Sequence, residues 1–571
     1  MSMDDLKEKL LAAINKENLL ETISEFNHLY RYSGKEEGEK AAKYIETKLQ
    51  EYGVDYETVT YDGFFSIPVF AELKVKNRFY ELVGDVYSKE ACHLTGELVY
   101  DQWSGASSLL TELEEEQRMA RFKDKIVLTW GAGTRSSLAT FARQAREAGA
   151  LAVLHICKTK GHYCHHTNIG IIWGTPGFDE VPYMQFLPAA GLYREDGEEL
   201  IKIISDNEAV LGDLTIRMDT KIRKSSMVVA NIPGKSPNYV LVSNHYDSWY
   251  EGITDNAVAD AISLEYARIF QEKKDQLTRG IRIAWWSGHS DARFSGSTYY
   301  CDSHWSDLRQ HCVAHVNLDL AGCKNSDQIR CRTTCTEGMA FTAKKILKYT
   351  GTEPHDYIPM IRGADQSFWG VNVPITIMLK YEPKPENRLS DCPSGGPWWH
   401  TPEDRIDKLD ETIMMRDAAI NMEIIEELES SDSLPVKIPE FMEDYTERLE
   451  KILSQLGSSF EAEPIRESWN ELCKAMDTVA EKQAAGKLRD IDIKETVGKL
   501  LHVIYCHNSE TTHDYGDSFG IFKSLDKFCG LEERNCSLAY FTIAKSDFLR
   551  TRNRLILGFH EIIDYIHHLN D

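Results

Sequence analysis

The clearest pattern in the chain is an alternation of short apolar segments with longer amphipathic segments between residues 226 and 430. The short segments, among them YVLVSN, GIRIAWW and VPITIML, are almost continuously hydrophobic. The segments between them, such as NAVADAISLEYARIFQEK, carry apolar residues at helical spacing. Near-continuous hydrophobic strands of this kind occur where helices cover both faces of a sheet, as in parallel sheets. We therefore predict an α/β domain with a mixed, mostly parallel sheet and helices on both faces.

Two further regions have different patterns. Residues 65–225 contain short strands separated by Gly and Pro turns, with one β-α-β unit formed by KIVLTW, TFARQAREAGA and LAVLHI. After a polar linker at about 428–439, apolar side chains recur at helical spacing. The predicted division is residues 1–64 with 226–430 as one domain, 65–225 as a β-rich insertion, and 431–571 as an all-α domain.

Composition and charge narrow the class of protein. Hydrophobic residues make up 42% and charged residues 27% of the chain, as in globular proteins. The 65 basic and 90 acidic residues leave a net charge of −25. This charge argues against nucleic acid or an anionic membrane surface as a partner. The N-terminal segment lacks an apolar signal core, and no window reaches the roughly 18 apolar residues of a membrane span. With 13 irregularly spaced cysteines, these features predict a cytoplasmic protein with reduced thiols.

Side chains that bind metals follow the ends of the predicted strands. The residues so placed are His245, Asp247, Asp255, His289, Ser290, Asp291, Asp319 and His400. The carboxyl ends of parallel strands meet at one edge of a sheet, so we expect these residues to gather there. Taken singly, Asp255 also fits a helix N-cap and His245 a hydrogen-bonded strand end.

A divalent cation would resolve the charge conflict at this edge. Crowded carboxylates repel and raise one another's pKa, and a cation removes that repulsion. Two imidazoles with three carboxylates suit Zn²⁺ first, with Mn²⁺, Co²⁺ or Fe²⁺ as alternatives. Five such side chains are enough for one ion or for two ions that share a ligand.

The motifs around these residues resemble the M28 family of co-catalytic zinc aminopeptidases. They are HYD (245–247), DNA (255–257), GSTYY (296–300), NLD (317–319), GADQSFWGVNVP (363–374) and WHTPED (399–404). The resemblance implies that His245 and Asp319 hold one ion and that His400 holds the other. It also implies that Asp255 bridges the two ions and that Asp247 orients His245.

The same resemblance extends to the whole architecture. It implies a phosphorylase/hydrolase-like peptidase domain that carries a protease-associated insertion. The C-terminal helices are similar to the dimerisation domain of the glutamate carboxypeptidase and transferrin receptor branch. A homodimer through these helices is therefore expected.

The chain departs from the family motif at the turn GHSD (288–291). The family has a Glu-Glu pair six residues before the Gly-Ser, where this chain has Ser290 and Asp291. Asp291 still offers a carboxylate to a metal, but the Ser290 hydroxyl is not basic near neutral pH. His289 is a candidate base, because an imidazole with a pKa near 6.5 accepts a proton readily; alternatively, His289 only caps and packs the turn.

Three hypotheses about the reaction stay open. His289 acts as the general base, or the activated water reacts with another group carrying its proton, or the site is degenerate and binds without cleaving. The first two describe a metal-dependent hydrolase of a small peptide or acyl amide, similar to an aminopeptidase. A single-zinc, amide-processing enzyme of glutaminyl-cyclase type is a further alternative.

Six more residues are candidates for contacts with a substrate. Arg293 and Arg362 are the side chains that would pair with a substrate carboxylate. Trp398 and Trp399 would form an aromatic wall beside the metal. In the insertion, His165 and His166 would lie on a loop that closes over the site.

Overall fold

The computed structural model describes residues 11–102, 117–131, 135–184, 187–334, 336–354, 356–389, 394–516 and 518–569. One continuous sheet runs through this part of the chain. Its strands are β1 (Asp55–Val75), β2 (Arg78–Gly84), β3 (Ala91–Asp101), β4 (Lys125–Trp130), β5 (Ala152–Ile156), β6 (Ala189–Leu192), β7 (Leu211–Ile232), β8 (Tyr239–His245), β9 (Gly280–Trp286), β10 (Cys312–Asn317), β11 (Gln328–Thr333), β12 (Asp356–Pro359) and β13 (Ile375–Glu382).

Two helices precede the first strand, others lie between strands, and the rest follow the last strand. They are α1 (Lys16–Phe26), α2 (Glu36–Glu51), α3 (Arg135–Glu147), α4 (Arg194–Ser205), α5 (Val258–Glu272), α6 (Ser295–Ser303), α7 (Trp305–His311), α8 (Thr336–Thr350), α9 (Glu411–Ser430), α10 (Ile438–Leu453), α11 (Glu463–Ala484), α12 (Asp490–Ile493), α13 (Lys499–Tyr505), α14 (Lys523–Asp526) and α15 (Leu538–His568). Among the described residues, no helix has both the length and the apolar character to cross a membrane.

The predicted mixed, mostly parallel sheet with helices on both faces is confirmed. In the peptidase-like half the strand order is β7-β9-β8-β10-β13-β11-β12. Strands β9, β8, β10 and β13 run parallel to one another, whereas β7 pairs antiparallel with β9 and β11 pairs antiparallel with β13. Every residue of β8 is buried. Side chains from α1, α2, α5 and α9 pack on one face, and α6 and α7 cover the other.

Two long strands join the insertion to this sheet. The strands β1 and β7 pair antiparallel along almost their whole length, from Asp55 with Asn231 to Val75 with Gly212. The predicted boundaries at 64/65 and 225/226 therefore fall inside continuous strands. In the insertion, β1-β2-β6-β5-β4-β3-β7 closes on itself, because β1 pairs with β2 and also with β7.

The C-terminal part is helical, as its apolar spacing predicts. The predicted stripe on α10 is buried at Phe441, Tyr445 and Leu449. The stripe on α11 is buried at Trp469 and Met476, and these side chains join the same apolar cluster as α15. This part also contacts the peptidase-like sheet, since the buried Lys494 donates hydrogen bonds to the carbonyls of Leu308 and Val371.

Candidate metal centre

The predicted site residues meet at the carboxyl edge of the central parallel strands. His245 is the last residue of β8, His289 follows β9 by three residues, and Asp319 follows β10 by two. Asp255 lies in the irregular turn before α5, and His400 lies in the long connection between β13 and α9. All five side chains are buried. The structure thus brings these five side chains to one edge of the sheet.

The Asp255 carboxylate lies between two imidazoles. Its Oδ1 is 3.1 Å from Nε2 of His245, and its Oδ2 is 3.0 Å from Nε2 of His400. Asp319 Oδ1 lies 3.7 Å from the same nitrogen of His245. These four side chains form the centre of the site, and we call them the metal-binding group.

The tautomers of the two imidazoles follow from their other hydrogen bonds. Nδ1 of His245 lies 2.9 Å from the main-chain oxygen of Asp247, and Nδ1 of His400 lies 2.8 Å from that of His166. A carbonyl oxygen only accepts, so each Nδ1 carries the hydrogen. Each Nε2 then faces an Asp255 oxygen, which only accepts. Either a proton on Nε2 or a cation between the nitrogen and the oxygen makes these contacts favourable. Burial lowers the pKa of His245, but the Asp255 and Asp319 carboxylates outweigh it and raise this pKa.

Unsatisfied polar atoms identify where such a cation fits. Nε2 of His245, Oδ1 of Asp255 and Oδ1 of Asp319 are buried and have no hydrogen-bond partner. Buried polar atoms without partners cost about 1–3 kcal/mol each, so native structures rarely leave three together. Nitrogen and carboxylate donors of this kind suit a divalent ion of the zinc type. The residues present therefore fit a metal.

His289 stands beside this group with a carboxylate partner of its own. A ring nitrogen of His289, one of His245 and an oxygen of Asp319 lie within 4.8 Å of one another. Nδ1 of His289 is 2.7 Å from Oδ2 of Asp365, and the edge of Phe294 contacts the ring at 4.7 Å between centroids. The imidazoles of His289 and His245 are stacked, with centroids 3.7 Å apart and planes at 10°. Burial, with the adjacent His245 charge, lowers the pKa of His289.

The rest of the GHSD turn is held by Asp247. Its carboxylate accepts hydrogen bonds from the main-chain N–H groups of His289 (3.1 Å) and Ser290 (2.9 Å). Asp247 thus accepts from His245 at its main-chain oxygen, while its carboxylate fixes the turn and lies 3.8 Å from Nδ1 of His245. The Ser290 hydroxyl is buried without a hydrogen-bond partner. Oδ2 of Asp291 accepts from the main-chain N–H of Ser33 at 3.1 Å, and its Oδ1 has no partner. Burial, with the Asp247 charge, raises the pKa of Asp291 to about 8.

The insertion contributes to the wall around His400. The Trp399 ring stacks on the His400 ring at 3.7 Å between centroids, and His165 bonds to the Trp399 carbonyl. The main-chain N–H of His166 donates to the His400 carbonyl at 3.2 Å, and the His166 ring stacks on Trp249 at 4.1 Å. The predicted loop over the site thus reaches the metal-binding group.

The other predicted substrate residues are Trp398, Arg293 and Arg362, and each takes part in a cation–π contact. Trp398 is buried, with the Lys408 ammonium 5.5 Å from its ring centroid. The guanidinium groups of Arg293 and Arg362 are both buried and lie 5.8 and 4.2 Å from the ring centroid of Trp173. The Trp173 ring in turn stacks on Phe294. Both arginines thus lie over Trp173, which stacks on Phe294, the ring that contacts His289.

Two buried acids that support the site were not singled out from the sequence. Asp365 binds His289, as described above. Asp404 accepts hydrogen bonds from the main-chain N–H of Asp255 (3.0 Å) and from both the N–H and the hydroxyl of Thr254 (3.0 and 2.8 Å). Both acids lie inside motifs that carry the family resemblance, GADQSFWGVNVP and WHTPED. Their place inside these motifs is the sequence feature that could have identified the two acids, although it assigns no role to either residue.

Comparison with known proteins decides the family of this region. Residues 227–425 match the model of peptidase family M28. This region belongs to that family. The chain is similar to the mouse aminopeptidase NAALADL1, 29% identical over 138 residues, which are 23% of this chain and 18% of that protein. The aminopeptidase YwaD of Bacillus subtilis is 25% identical over 245 residues, 39% of this chain and 47% of that protein. The chain thus matches less than half the length of either relative.

Solved structures resemble a larger share of the chain. An aminopeptidase from Aneurinibacillus sp. strain AM-1 aligns with a TM-score of 0.57 and 22% identity, over 74% of this chain and 95% of that one. A zinc aminopeptidase from Bacillus subtilis aligns with a TM-score of 0.55 and 19% identity, over 73% and 96%. At these identities the likeness establishes the fold that M28 proteins share.

Proposed function

We propose that the protein is a metal-dependent hydrolase that cleaves a peptide or amide bond in the manner of an aminopeptidase. The observation that carries the proposal is the Asp255 carboxylate, held between Nε2 of His245 and Nε2 of His400 at 3.1 and 3.0 Å. Two atoms bound to one tetrahedral zinc at about 2.0 Å are about 3.3 Å apart, close to these separations. The M28 match, together with relatives named as aminopeptidases, supports the same reaction class.

Zinc is the metal that this proposal favours. A solved structure with the same fold is a zinc aminopeptidase, and the nitrogen and carboxylate donors here suit zinc before Mn²⁺, Co²⁺ or Fe²⁺. Asp255 has one oxygen towards each imidazole, so it would be shared between two ions, with His245 and Asp319 on one side and His400 on the other. When bound, the metal supplies Lewis-acid activation of water and of the scissile carbonyl.

We further propose that His289 takes the proton of the attacking water. Its Nδ1 faces a carboxylate that only accepts, so Nε2 keeps its lone pair. An imidazole lone pair lies in the ring plane, and the stacked planes of His245 and His289 are nearly parallel. The Nε2 lone pairs of the two rings therefore lie in separate, nearly parallel planes, so His245 would hold the ion and His289 would accept the proton. The base role consequently suits His289 better than coordination of the same ion.

The proposed substrate is a small peptide or acyl amide. Trp398, Trp399, His165 and His166 would form the wall that receives it, while Arg293 and Arg362 are the cations available for a more distant carboxylate. The closed ring of strands suits a protease-associated type of insertion. The described cysteines are free thiols, which favours a reducing compartment such as the cytoplasm.

Metal content and turnover together test the proposal. Protein purified without chelator is analysed by elemental mass spectrometry and assayed with aminoacyl anilides, dipeptides and N-acyl amino acids. We expect one or two zinc ions per chain, with metal-dependent hydrolysis, and loss of both in Asp255→Ala. The matched control is Asp62→Ala, whose carboxylate is exposed and pairs with Lys224 at 3.1 Å. Protein that holds no metal contradicts the proposal, and metal without turnover favours a binding protein.

We also propose a homodimer through the C-terminal helices. On α15, Leu538, Ile543 and Leu557 are 70, 67 and 60% exposed. A second copy of the same helix would cover these side chains. In light scattering coupled to gel filtration, Leu557→Asp is expected to shift a dimer to a monomer. Leu211→Asp, at a leucine 62% exposed on the insertion, is the control that should leave the mass unchanged. A monomeric wild type contradicts this assignment.

A further inference from the structure

The carboxylate of Asp365 is the fixed partner of His289. Asp365 lies in the connection between β12 and β13 and is fully buried. Its Oδ2 is 2.7 Å from Nδ1 of His289, and its Oδ1 accepts the hydroxyl hydrogen of Ser297 at 2.8 Å. Asp365 and the preceding Ala364 have φ angles of 60° and 49°, in the left-handed region that non-glycine residues rarely adopt. The loop is thus built so that this carboxylate reaches the GHSD turn.

A second set of hydrogen bonds holds the carboxylate in place. The Ser297 oxygen lies 3.0 Å from the Ser367 hydroxyl, and the Trp173 indole N–H donates to Ser367 at 2.8 Å. Ser297 belongs to α6, whereas Trp173 comes from the insertion. The GHSD turn and α6 thus bond Asp365 directly, and the insertion supports Ser297 through Ser367. Such packing fixes the direction of a carboxylate within a few tenths of an ångström, which is what a functional site requires of its supporting residues.

We propose that Asp365 is a positioning residue that sets the tautomer and ring direction of His289, so that Nε2 faces His245 and Asp319. This inference rests on the proposed function, in which His289 takes a proton. The chain has Ser290 where the family has glutamate, so the reaction needs a base from another position. An imidazole becomes a dependable base only when its second nitrogen is held by an acceptor. The Asp365 carboxylate supplies that acceptor at hydrogen-bonding distance.

The direct test compares Asp365→Asn with the wild type. An asparagine offers an N–H₂ group that stabilises the opposite tautomer, in which Nε2 carries the hydrogen and accepts no proton. General-base catalysis contributes roughly 10²–10⁴-fold, so we expect kcat to fall by about 100-fold or more. KM and metal content are expected to stay within about 3-fold, because Asp365 contacts neither the metal-binding group nor the substrate wall. A kcat that stays within about 3-fold of wild type overturns the inference.

Two further readouts separate positioning from a structural role. The double variant His289→Ala/Asp365→Asn should be no slower than His289→Ala alone, because Asp365 acts through His289. Additive losses overturn the inference. In Asp365→Ala, added formate should restore part of kcat by filling the space that the carboxylate leaves. If Asp365→Ala does not fold, Ser297→Ala replaces it and should lower kcat less than Asp365→Asn does.

A measurement without turnover keeps this inference distinct from the proposed function. In protein with ¹⁵N-labelled histidine, the His289 signals, assigned with His289→Ala, should report an Nδ1-bound hydrogen. Asp365→Asn should remove that state. Wild-type protein with this tautomer but without metal-dependent turnover contradicts the proposed function alone. Metal-dependent turnover with an Nε2-bound hydrogen contradicts the positioning role alone.

Discussion

Replacing Asp404 with asparagine should weaken the metal-binding group without touching a metal ligand. Asp404 is 2% exposed and accepts three hydrogen bonds, two at Oδ1 from Thr254 and one at Oδ2 from the N–H of Asp255. Asparagine keeps one acceptor oxygen and turns the other into an N–H₂ donor. In either orientation that donor faces a main-chain N–H, of Thr254 or of Asp255. One buried N–H therefore loses its partner.

The expected size follows from these contacts. An N–H left unsatisfied in a buried place costs about 1–3 kcal/mol, and bonds to a charged acceptor lie at the upper end. The same loss releases the turn that aims Asp255 at the two imidazoles. Supporting residues of metal ligands typically change metal affinity about 10–100-fold. We therefore expect Asp404→Asn to lose about 1–3 kcal/mol of unfolding free energy without metal and 10–100-fold in zinc affinity.

Two assays measure these effects separately. Urea titration of metal-free protein gives the change in unfolding free energy, and competition with a chelating dye gives the zinc affinity. Asp407→Asn is the control, because this neighbouring acid is 65% exposed at its side chain and pairs only with Lys408. The reasoning is refuted if Asp404→Asn matches this control in both assays. A loss of stability with unchanged zinc affinity would mean that Asp255 keeps its direction without Asp404.

Three other perturbations have defined outcomes. Burial lowers the pKa of His155, but the charge and hydrogen bond of Asp85 outweigh it, so the pKa lies above the usual 6.5. Such a shift adds stability that is fully present below pH 6.5 and is lost as the pH rises through the raised pKa. In urea titrations, Asp85→Asn should therefore destabilise the protein more at about pH 6 than at about pH 9. Equal losses of unfolding free energy at the two pH values contradict this prediction. Gly370→Ala places a Cβ 1.8 Å from the Glu510 carbonyl oxygen and should cost about 1–3 kcal/mol of unfolding free energy. In Gly363→Ala the Cβ meets no atom within 4 Å, so this variant should be neutral. Thermal unfolding measures both variants. Zinc at about 100 times its Kd should stabilise metal-free protein by about 2.7 kcal/mol, and an unchanged thermal midpoint would contradict the site.

Strand-end residues were predictable because parallel strands leave little freedom. Once YVLVSN and VAHVNLDLAG are recognised as neighbouring parallel strands, His245 and Asp319 must emerge at the same edge. The β8 and β10 pairing, with Val242 opposite Val316, places them as expected. The boundary of the insertion was harder to predict from the sequence. Strand β1 runs unbroken from Asp55 to Val75, through residue 64, so no end of a strand marks where it leaves one half of the sheet.

The supporting residues could not be predicted, because they depend on the paths of loops. Asp404 lies 150 positions from its partner Thr254, and Asp291 bonds to Ser33 across 258 positions. No periodicity in the sequence encodes either contact. For Asp291 the consequence is direct. Its Oδ2 accepts a hydrogen bond from Ser33 in the N-terminal segment. Asp291 stands where the family has glutamate, and only its Oδ1 lacks a protein hydrogen-bond partner at the site.

The insertion contacts one of the proposed metal ligands, His400. His166 makes two hydrogen bonds with His400. Its carbonyl accepts from Nδ1 of His400 at 2.8 Å, and its main-chain N–H donates to the His400 carbonyl at 3.2 Å. Both contacts are made by the main chain. The His166 side chain therefore matters less to metal binding than the path of the loop that carries it. That loop begins where β5 ends, so the ring of strands sets the direction of His400. A change that shifts the ring against the peptidase-like sheet would reach the metal through this one imidazole.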